Sequence, residues 1–358
     1  PIQPWLGTSA VVAGNLRLDL AGRGTLANLP LSGTIGGDAL RVDAPSWGVH
    51  LTGGRLIGRV VDGMLRLDEL SLQAGDGRFV ASGVVGRVQR PDGAQESATR
   101  LSWQAQRFRL FNRPDLRLVL DGTGTLAIVD GKLRLAGSVN VLSGHIEYAS
   151  TPDGRLADDV VVAGWPERPP STREAGLGDT PLALDLDIDL GKDLSFSGEG
   201  LETELAGRVK VFTDERGALR GRGTIRTVRG TYFAYGQKLV IDRGRLIFDG
   251  PLDNPALDIV AVRRTPQVDA GVQLQGSVRS PQLTLTSNPP LPDGEKLSYL
   301  LTGQGLDRAS RADAAALQAA SASLFGRAQR PVTTTVSRSL GLDDLSFRSA
   351  SATGGRAQ

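Results

Sequence analysis

Apolar and polar residues alternate strictly at several points along the chain. Short examples lie at residues 16–20, 65–68 and 133–135, and the longest runs from Leu182 to Leu190. In that run five large aliphatic residues alternate with Ala183 and three aspartates. A period of two is typical of a β-strand with one apolar and one polar face, whereas a helix would scatter these residues around its circumference. The pattern predicts amphipathic strands.

Glycine and aspartate mark the predicted turns between these strands. The dipeptides Asp62-Gly63 and Asp130-Gly131 lie between apolar runs, as in two-residue hairpins, and Gly244 is a candidate for a three-residue hairpin. Triplets of glycine, any residue and an aliphatic residue predict further strand starts at Gly58, Gly86, Gly124, Gly137, Gly207 and Gly276. At this density we expect roughly thirty strands, which stacked at about 4.8 Å would extend on the order of 100 Å.

The strand pattern repeats, with three interruptions. Residues 137–146 align without a gap on residues 223–232, which predicts strand units stacked along one axis. A polar connector lies at 91–99, and prolines and charges at 151–180 indicate a loop. Helices are expected only near the C-terminus: one with Asp293 as its N-cap, and one in the alanine-rich residues 311–326.

These features predict an all-β fold: an elongated, curved, repeat-built sheet with one or two short helices near the C-terminus. The expected segments are repeated strands over 1–150, a proline-rich loop over 151–180, a β-sheet core over 181–289, a helical segment over 290–326 and a partly disordered tail over 327–358.

Composition excludes several classes of protein. Of 358 residues, 40% are hydrophobic and 22% charged, so the chain can bury a core. A net charge of +2 is small for a nucleic-acid binder, which needs a concentrated basic face. Cysteine is absent, which excludes disulfides and thiol chemistry. The chain begins at Pro1 with no signal peptide or long apolar stretch, so we expect a piece of a longer protein with any membrane anchor outside it.

Candidate catalytic and metal-binding residues are sparse. His50 and His145 are far apart, and neither a zinc motif nor a nucleophile–histidine pair occurs. The carboxylates of Asp185, Asp187 and Asp189 would lie about 7 Å apart on one strand face, too far for a single calcium ion without other ligands. Two Gly-x-Gly-x-x-Ala stretches, at 22–27 and 122–127, lead into strand patterns rather than helices. We therefore predict a protein that is not an enzyme and has no cofactor or metal.

The apolar strand faces leave two architectures open, because an apolar face must be covered. The sheet can cover itself as a closed barrel or sandwich. Alternatively, an incompletely closed, curved sheet has its apolar interior completed by a guest molecule.

Six segments between residues 223 and 303 together resemble the C-terminal domain of the TamB family. They include GTIRTVRGTY at 223–232 and LSYLLTG at 297–303, and the others lie at 234–239, 248–255, 271–276 and 281–287. The resemblance implies a periplasmic body of a Gram-negative bacterium, tethered to the inner membrane through an N-terminal anchor. It also implies a taco-shaped apolar groove related to AsmA-like, bridge-type lipid transfer proteins, and favours the open architecture.

The resemblance implies a function and two partners. The groove would shield and conduct phospholipid acyl chains between inner and outer membranes and support outer-membrane protein assembly and secretion. The second partner would be the outer-membrane barrel protein TamA, whose contact strands we expect outside this chain, since the family pattern continues beyond Phe347. The alternative is a chaperone or scaffold that inserts outer-membrane or autotransporter proteins by β-strand pairing, without lipid transport.

Strand parity assigns the residues expected to line the groove. They are the large aliphatic and aromatic side chains on one face of the strands between residues 182 and 285: Leu182, Leu184, Leu186, Ile188, Leu190, Val209, Val211, Leu239, Ile241, Leu246, Phe248, Leu257, Ile259, Val272, Leu274, Leu283 and Leu285.

Overall fold

A computed structural model of the chain describes residues 10–22, 31–61, 63–89, 95–129, 131–148, 182–234 and 237–305. The predicted all-β fold is confirmed: sixteen strands form one continuous sheet, with a separate two-stranded hairpin and one short helix in these ranges. The predicted loop at 151–180, the second helix and the tail lie outside the described residues.

The strands of the main sheet are long. They are β1 (Val11–Gly22), β2 (Leu31–Ala44), β3 (Val49–Val61), β4 (Met64–Ala74), β5 (Gly77–Val85), β8 (Arg100–Asn112), β9 (Leu116–Val129), β10 (Lys132–Tyr148), β11 (Leu182–Asp189), β12 (Leu194–Gly198), β13 (Leu201–Thr213), β14 (Leu219–Ala234), β15 (Gln237–Pro251), β16 (Ala256–Arg264), β17 (Asp269–Ser277) and β18 (Ser280–Asn288). Strands β6 (Arg87–Gln89) and β7 (Gln95–Ser97) form the separate hairpin, and α1 (Asp293–Thr302) follows β18.

Neighbours in the sheet follow chain order, and almost all of them pair antiparallel. The exception is β10, which pairs parallel with β11 and β12. A parallel pair needs a crossover of a dozen or more residues, and the 33 residues from 149 to 181 supply it. Strands β11 and β12 share one position between β10 and β13, so the sheet has fifteen positions and a contour of about 65 Å at ~4.8 Å per strand.

Within the described residues the strands are fewer and longer than the turn pattern predicted, because several glycines that were interpreted as strand starts lie inside strands. Gly124, Gly137 and Gly207 are interior residues of β9, β10 and β13. Gly244 likewise lies within β15, next to a register shift between Ile241 and Arg243, and makes no hairpin. The two turns that were predicted at Asp-Gly dipeptides lie in hairpins, one between β3 and β4 and the other between β9 and β10.

The strand register gives the sheet one apolar and one polar face. Residues directly opposite each other on neighbouring strands project to the same side of a sheet. One such row is Leu101, Leu126, Leu135 and Leu184 across β8 to β11. The adjacent row on the other side contains Arg100, Ala127, Arg134 and Ala183. Hereafter the first side is the apolar face and the second the polar face.

The sheet curves strongly, and glycines permit the curvature. The N–H of Asn112 donates to the carbonyl of Gly48 at 3.0 Å, although β4 and β5 separate β3 from β8. Gly207 and Gly223 have φ values of 139° and 138° in mid-strand, and an added Cβ would lie 2.2 Å from a carbonyl oxygen of the neighbouring strand at either position. Only glycine tolerates this backbone, and such kinks bend a sheet.

Two buried clusters lie on the apolar face. One contains Ala74, Ala105, Phe108 and Leu120. In the other, Leu297 and Leu300 of α1 pack on Leu239, Ala261, Val268 and Ala270. The register does not join the two clusters in one row, since Leu120 pairs with Val141 whereas Leu239 pairs with Tyr232 near the end of β14. We call the part of the apolar face beneath α1 the covered edge and the part that α1 does not contact the open edge.

The helix begins differently from its prediction. Its N-cap is Pro292, not Asp293. The carboxylate of Asp293 forms an ion pair with Lys296 at 2.8 Å and does not cap backbone N–H groups. Glycine ends the helix as expected for a left-handed C-cap, with the N–H of Gly303 donating to the carbonyl of Tyr299. Arg263 donates to the carbonyl of Leu300 at 3.0 Å, which ties the helix end to β16.

Candidate functional site

The apolar face brings together the residues that parity assigned to a groove. Sixteen of the seventeen lie in paired strands and share this face; Leu190 lies just beyond β11, where its N–H donates to the carbonyl of Gly207. In β15 the residues on the apolar face have odd numbers up to Ile241 and even numbers from Leu246 onward. They stay on the same face because the bulge between Ile241 and Arg243 adds one residue. Their role in holding a guest stays a prediction.

The covered and open edges differ in what lies over them. On the covered edge, Leu239 is 3% exposed, and Val272 and Leu285 pack against the same cluster beneath α1. On the open edge, Leu186, Leu257 and Leu283 are half-buried. Within the described ranges, the contacts of α1 are with the covered-edge ends of β15 to β18, so the protein's own helix occupies only part of the face.

The apolar face continues into the first strands, which the predicted groove residues did not include. Leu56 pairs with Leu70, and Leu70 with Ala81, in the same alternation that was found in β11. At the first strand, Leu16, Leu18 and Leu20 are 46%, 63% and 39% exposed. Complete burial of a leucine is worth about 1.5–3 kcal/mol, and these partly exposed side chains lack part of that free energy.

Three aromatic side chains of β5 and β8 narrow the apolar face. The rings of Phe79 and Trp103 stack with centroids 6.2 Å apart, and Phe79 also contacts Phe108 at 5.7 Å. In the described residues the buried indole N–H of Trp103 has no acceptor, which is uncommon for a buried donor. The sequence pattern could identify Trp103 as facing the apolar side. It could not identify which side chains contact Trp103, because those contacts depend on the pairing between β5, β8 and β9.

The polar face is held by cross-strand ion pairs. Arg208 donates to Asp189 at 2.7 Å and Lys210 to Asp185 at 2.8 Å. The pKa of Asp189 is lowered, first by the backbone N–H of Gly191 and then by Arg208. Arginine and lysine therefore occupy the cation positions beside these aspartates, and such exposed pairs contribute little to stability because water screens them. This face keeps the sheet in contact with water.

The remaining candidate residues have structural partners. His50 contacts the carboxylate of Asp43, and Nδ1 of His145 lies 2.9 Å from the hydroxyl of Ser195. The described ranges contain no group of three metal-ligating side chains. No helix in those ranges is long and apolar enough to cross a bilayer. The second Gly-x-Gly-x-x-Ala stretch lies wholly within β9.

Comparison with known proteins identifies one family. The model of the TamB C-terminal domain matches residues 68–358. A curated protein of Haemophilus influenzae, the translocation and assembly module subunit TamB, is 31% identical over 225 residues. That match covers 58% of this chain and 17% of the relative, so the chain corresponds to a small part of the relative's length.

Proposed function

Because the chain belongs to the TamB C-terminal domain family, we propose that its apolar face holds phospholipid acyl chains as part of a translocation and assembly module. The observation that carries the proposal is one apolar face running through all fifteen sheet positions, with α1 covering only its last strands. In this function the chain acts by binding rather than by catalysis.

Acyl chains suit this face for a physical reason. They are apolar and featureless, and each CH₂ removed from water contributes about 0.8 kcal/mol. Rows such as Leu101, Leu126, Leu135 and Leu184 offer aliphatic contact from strand to strand without polar side chains. A chain can therefore be held firmly and still slide, because neighbouring positions along the sheet are nearly equivalent. That combination is what conduction between two membranes requires.

The acyl path follows the open edge. Leu239 is buried beneath α1, and the half-buried Val272 and Leu285 pack against the same cluster, whereas the half-buried Leu186, Leu257 and Leu283 lie outside it. A guest entering the covered edge would have to displace α1. Contact along the open edge needs no such rearrangement. The seventeen predicted lining residues therefore fall into two groups. One group can contact an acyl chain directly, and the other can do so only after α1 moves.

The wider setting is part of the proposal. We place the chain in the periplasm, as part of a longer protein anchored in the inner membrane, with the outer-membrane barrel TamA as partner. Support comes from the family and from the relative's name as a module subunit. Conducted phospholipid would then support outer-membrane protein assembly and secretion.

Mass spectrometry of lipid extracted from the purified chain tests the proposal. We expect phospholipid in the wild type and a large loss in Leu186→Lys, which puts a charge on the apolar face. Asp187→Lys is the matched control, because it introduces the same side chain one residue away on the exposed polar face. Circular dichroism verifies that both variants are folded. Equal lipid content in the two variants, or none in the wild type, would contradict lipid binding.

One observation favours the alternative, a strand-pairing scaffold. In the described residues β18 pairs on one side only, with β17, and its other edge offers backbone groups to an added strand. Thr284→Pro in β18 would then abolish capture of an unfolded outer-membrane protein, whereas the lipid proposal predicts unchanged lipid content in that variant.

A further inference from the structure

A cavity of about 420 Å³ opens on the polar face, away from the acyl path. Arg107 and Arg109 of β8, Val119 of β9 and Ser143 of β10 line it, together with Asp76 from the turn between β4 and β5 and Leu142. Arg109 pairs with Val119, and Val119 with Ser143, so these three side chains form one row on the polar side. Its volume falls within the range of small-molecule sites, about 300–1,000 Å³.

Local backbone irregularities build this cavity. The register shifts between Ala105 and Phe108 and between Val141 and Ser143, and each β-bulge re-aims the side chains beside it. Arg107 has φ of 46°, a left-handed conformation that is costly for a residue with a side chain. Its N–H is held by Asp121 Oδ1 at 2.7 Å. Strain of this kind at a concave site is a physical reason to look for a function there.

The two guanidinium groups are available for a ligand. Several other arginines on the polar face are paired, for example Arg59 with Asp68 at 3.0 Å and Arg78 with Glu69 at 2.8 Å. In the part of the chain that the structure describes, neither Arg107 nor Arg109 has a carboxylate within ion-pairing distance. Arg109 is half-buried against the turn, where an added Cβ on Gly75 would lie 2.8 Å from its guanidinium carbon.

The charges of the cavity match a zwitterion. Two arginines favour an oxyanion, which guanidinium groups bind through paired N–H donors, and Ser143 adds a hydroxyl. Asp76 supplies a carboxylate at the turn side, which would repel a second anion but attract an ammonium group. We propose that this cavity binds a phosphoethanolamine-type group, with its phosphate at Arg107 and Arg109 and its amine toward Asp76. The site is independent of what occupies the apolar face.

Calorimetric titration of the whole chain with glycerophosphoethanolamine tests this site. We expect saturable binding, and a loss of about tenfold or more in affinity for R107Q/R109Q, which corresponds to about 1.4 kcal/mol. Arg134→Gln is the control: it removes an exposed arginine from the same face outside the cavity, and binding should be unchanged. D76N should bind glycerophosphoglycerol, which lacks the amine, as well as it binds glycerophosphoethanolamine, whereas the wild type prefers the zwitterion.

The source of the group is distinguished by vesicles. Weaker binding of R107Q/R109Q than of the wild type to both the soluble ester and phosphatidylethanolamine vesicles assigns the cavity to a lipid headgroup, and weaker binding to the ester alone assigns it to a free phosphate ester. The proposed site would be overturned if the chain bound neither probe, or if the wild type and R107Q/R109Q had equal affinity. Neither outcome bears on lipid retained by the apolar face, which Leu186→Lys tests separately.

Discussion

The indole ring of Trp103 lies over the backbone of Gly124, its direct partner on the neighbouring strand. A Cβ at Gly124 would come within 2.7 Å of Cζ2 of Trp103 and 2.3 Å of the carbonyl oxygen of Ala136. Gly137, the next residue in the row, is also within reach of this ring. Glycine therefore lets a large aromatic side chain lie flat on the sheet and narrow the apolar face.

Gly124→Ala should destabilise the chain because the new methyl group has no space against either neighbour. Overpacking of this kind costs about 1–3 kcal/mol, which urea denaturation would report as a lower midpoint. Gly250→Ala is the matched control, since a Cβ there meets nothing within 4 Å. Equal midpoints for the two variants would mean that Trp103 is not held over Gly124 in solution.

Leu300→Ala should loosen α1 from the covered edge. Leu300 is 4% exposed in a cluster with Ala261 and Ala270, and such truncations cost about 2–5 kcal/mol. Hydrogen exchange should accelerate in α1 while β13 and β14, which contribute no residue to this cluster, keep their protection. Asp293→Ala removes only an exposed ion pair with Lys296 and should change exchange little. Uniform acceleration across the sheet would contradict local docking.

Acid should weaken the sheet through its paired aspartates. The pKa of Asp189 is lowered by Gly191 N–H and Arg208, and that of Asp68 chiefly by its hydrogen bond with Arg59. A lowered native pKa gives stability that is present above the unfolded value, about 3.9, and lost as pH falls through the native value. Urea midpoints should therefore drop below about pH 4.

Asp189→Asn provides the control for the acid effect, because the amide keeps an acceptor for Gly191 but cannot titrate. Its midpoint should fall less steeply with pH than that of the wild type. A wild-type slope in Asp189→Asn would contradict the assignment.

The sequence predicted which residues share a face better than it predicted where strands begin. Alternation at residues 182–190 depends only on a period of two, and in β15 the bulge between Ile241 and Arg243 shifts the alternation by one residue, from Ile241 to Leu246. Strand boundaries failed at Gly124, Gly137 and Gly207 because glycine serves both turns and curved strand interiors, and local sequence does not distinguish these uses. The covering of Leu239 by α1 and the cavity at Arg107 depend on contacts between distant strands, which periodicity does not contain.

Two leucines on β18 distinguish the open edge from the covered edge. Leu283 and Leu285 share the apolar face two residues apart, but only Leu285 packs against the cluster beneath α1. A photo-crosslinking amino acid at Leu283 should capture more phospholipid than one at Leu285. Equal capture at both positions would mean that α1 does not confine the acyl path.

The central claim is that acyl chains contact the apolar face and not the polar one. A benzophenone amino acid placed at Leu186 tests contact of lipid with the apolar face of β11, and one placed at Asp187 tests contact with the polar face at the adjacent position. After irradiation of the folded, phospholipid-loaded chain, intact mass spectrometry should find a lipid adduct at Leu186 and none above background at Asp187. No adduct at Leu186, or equal adducts at both positions, would contradict the claim.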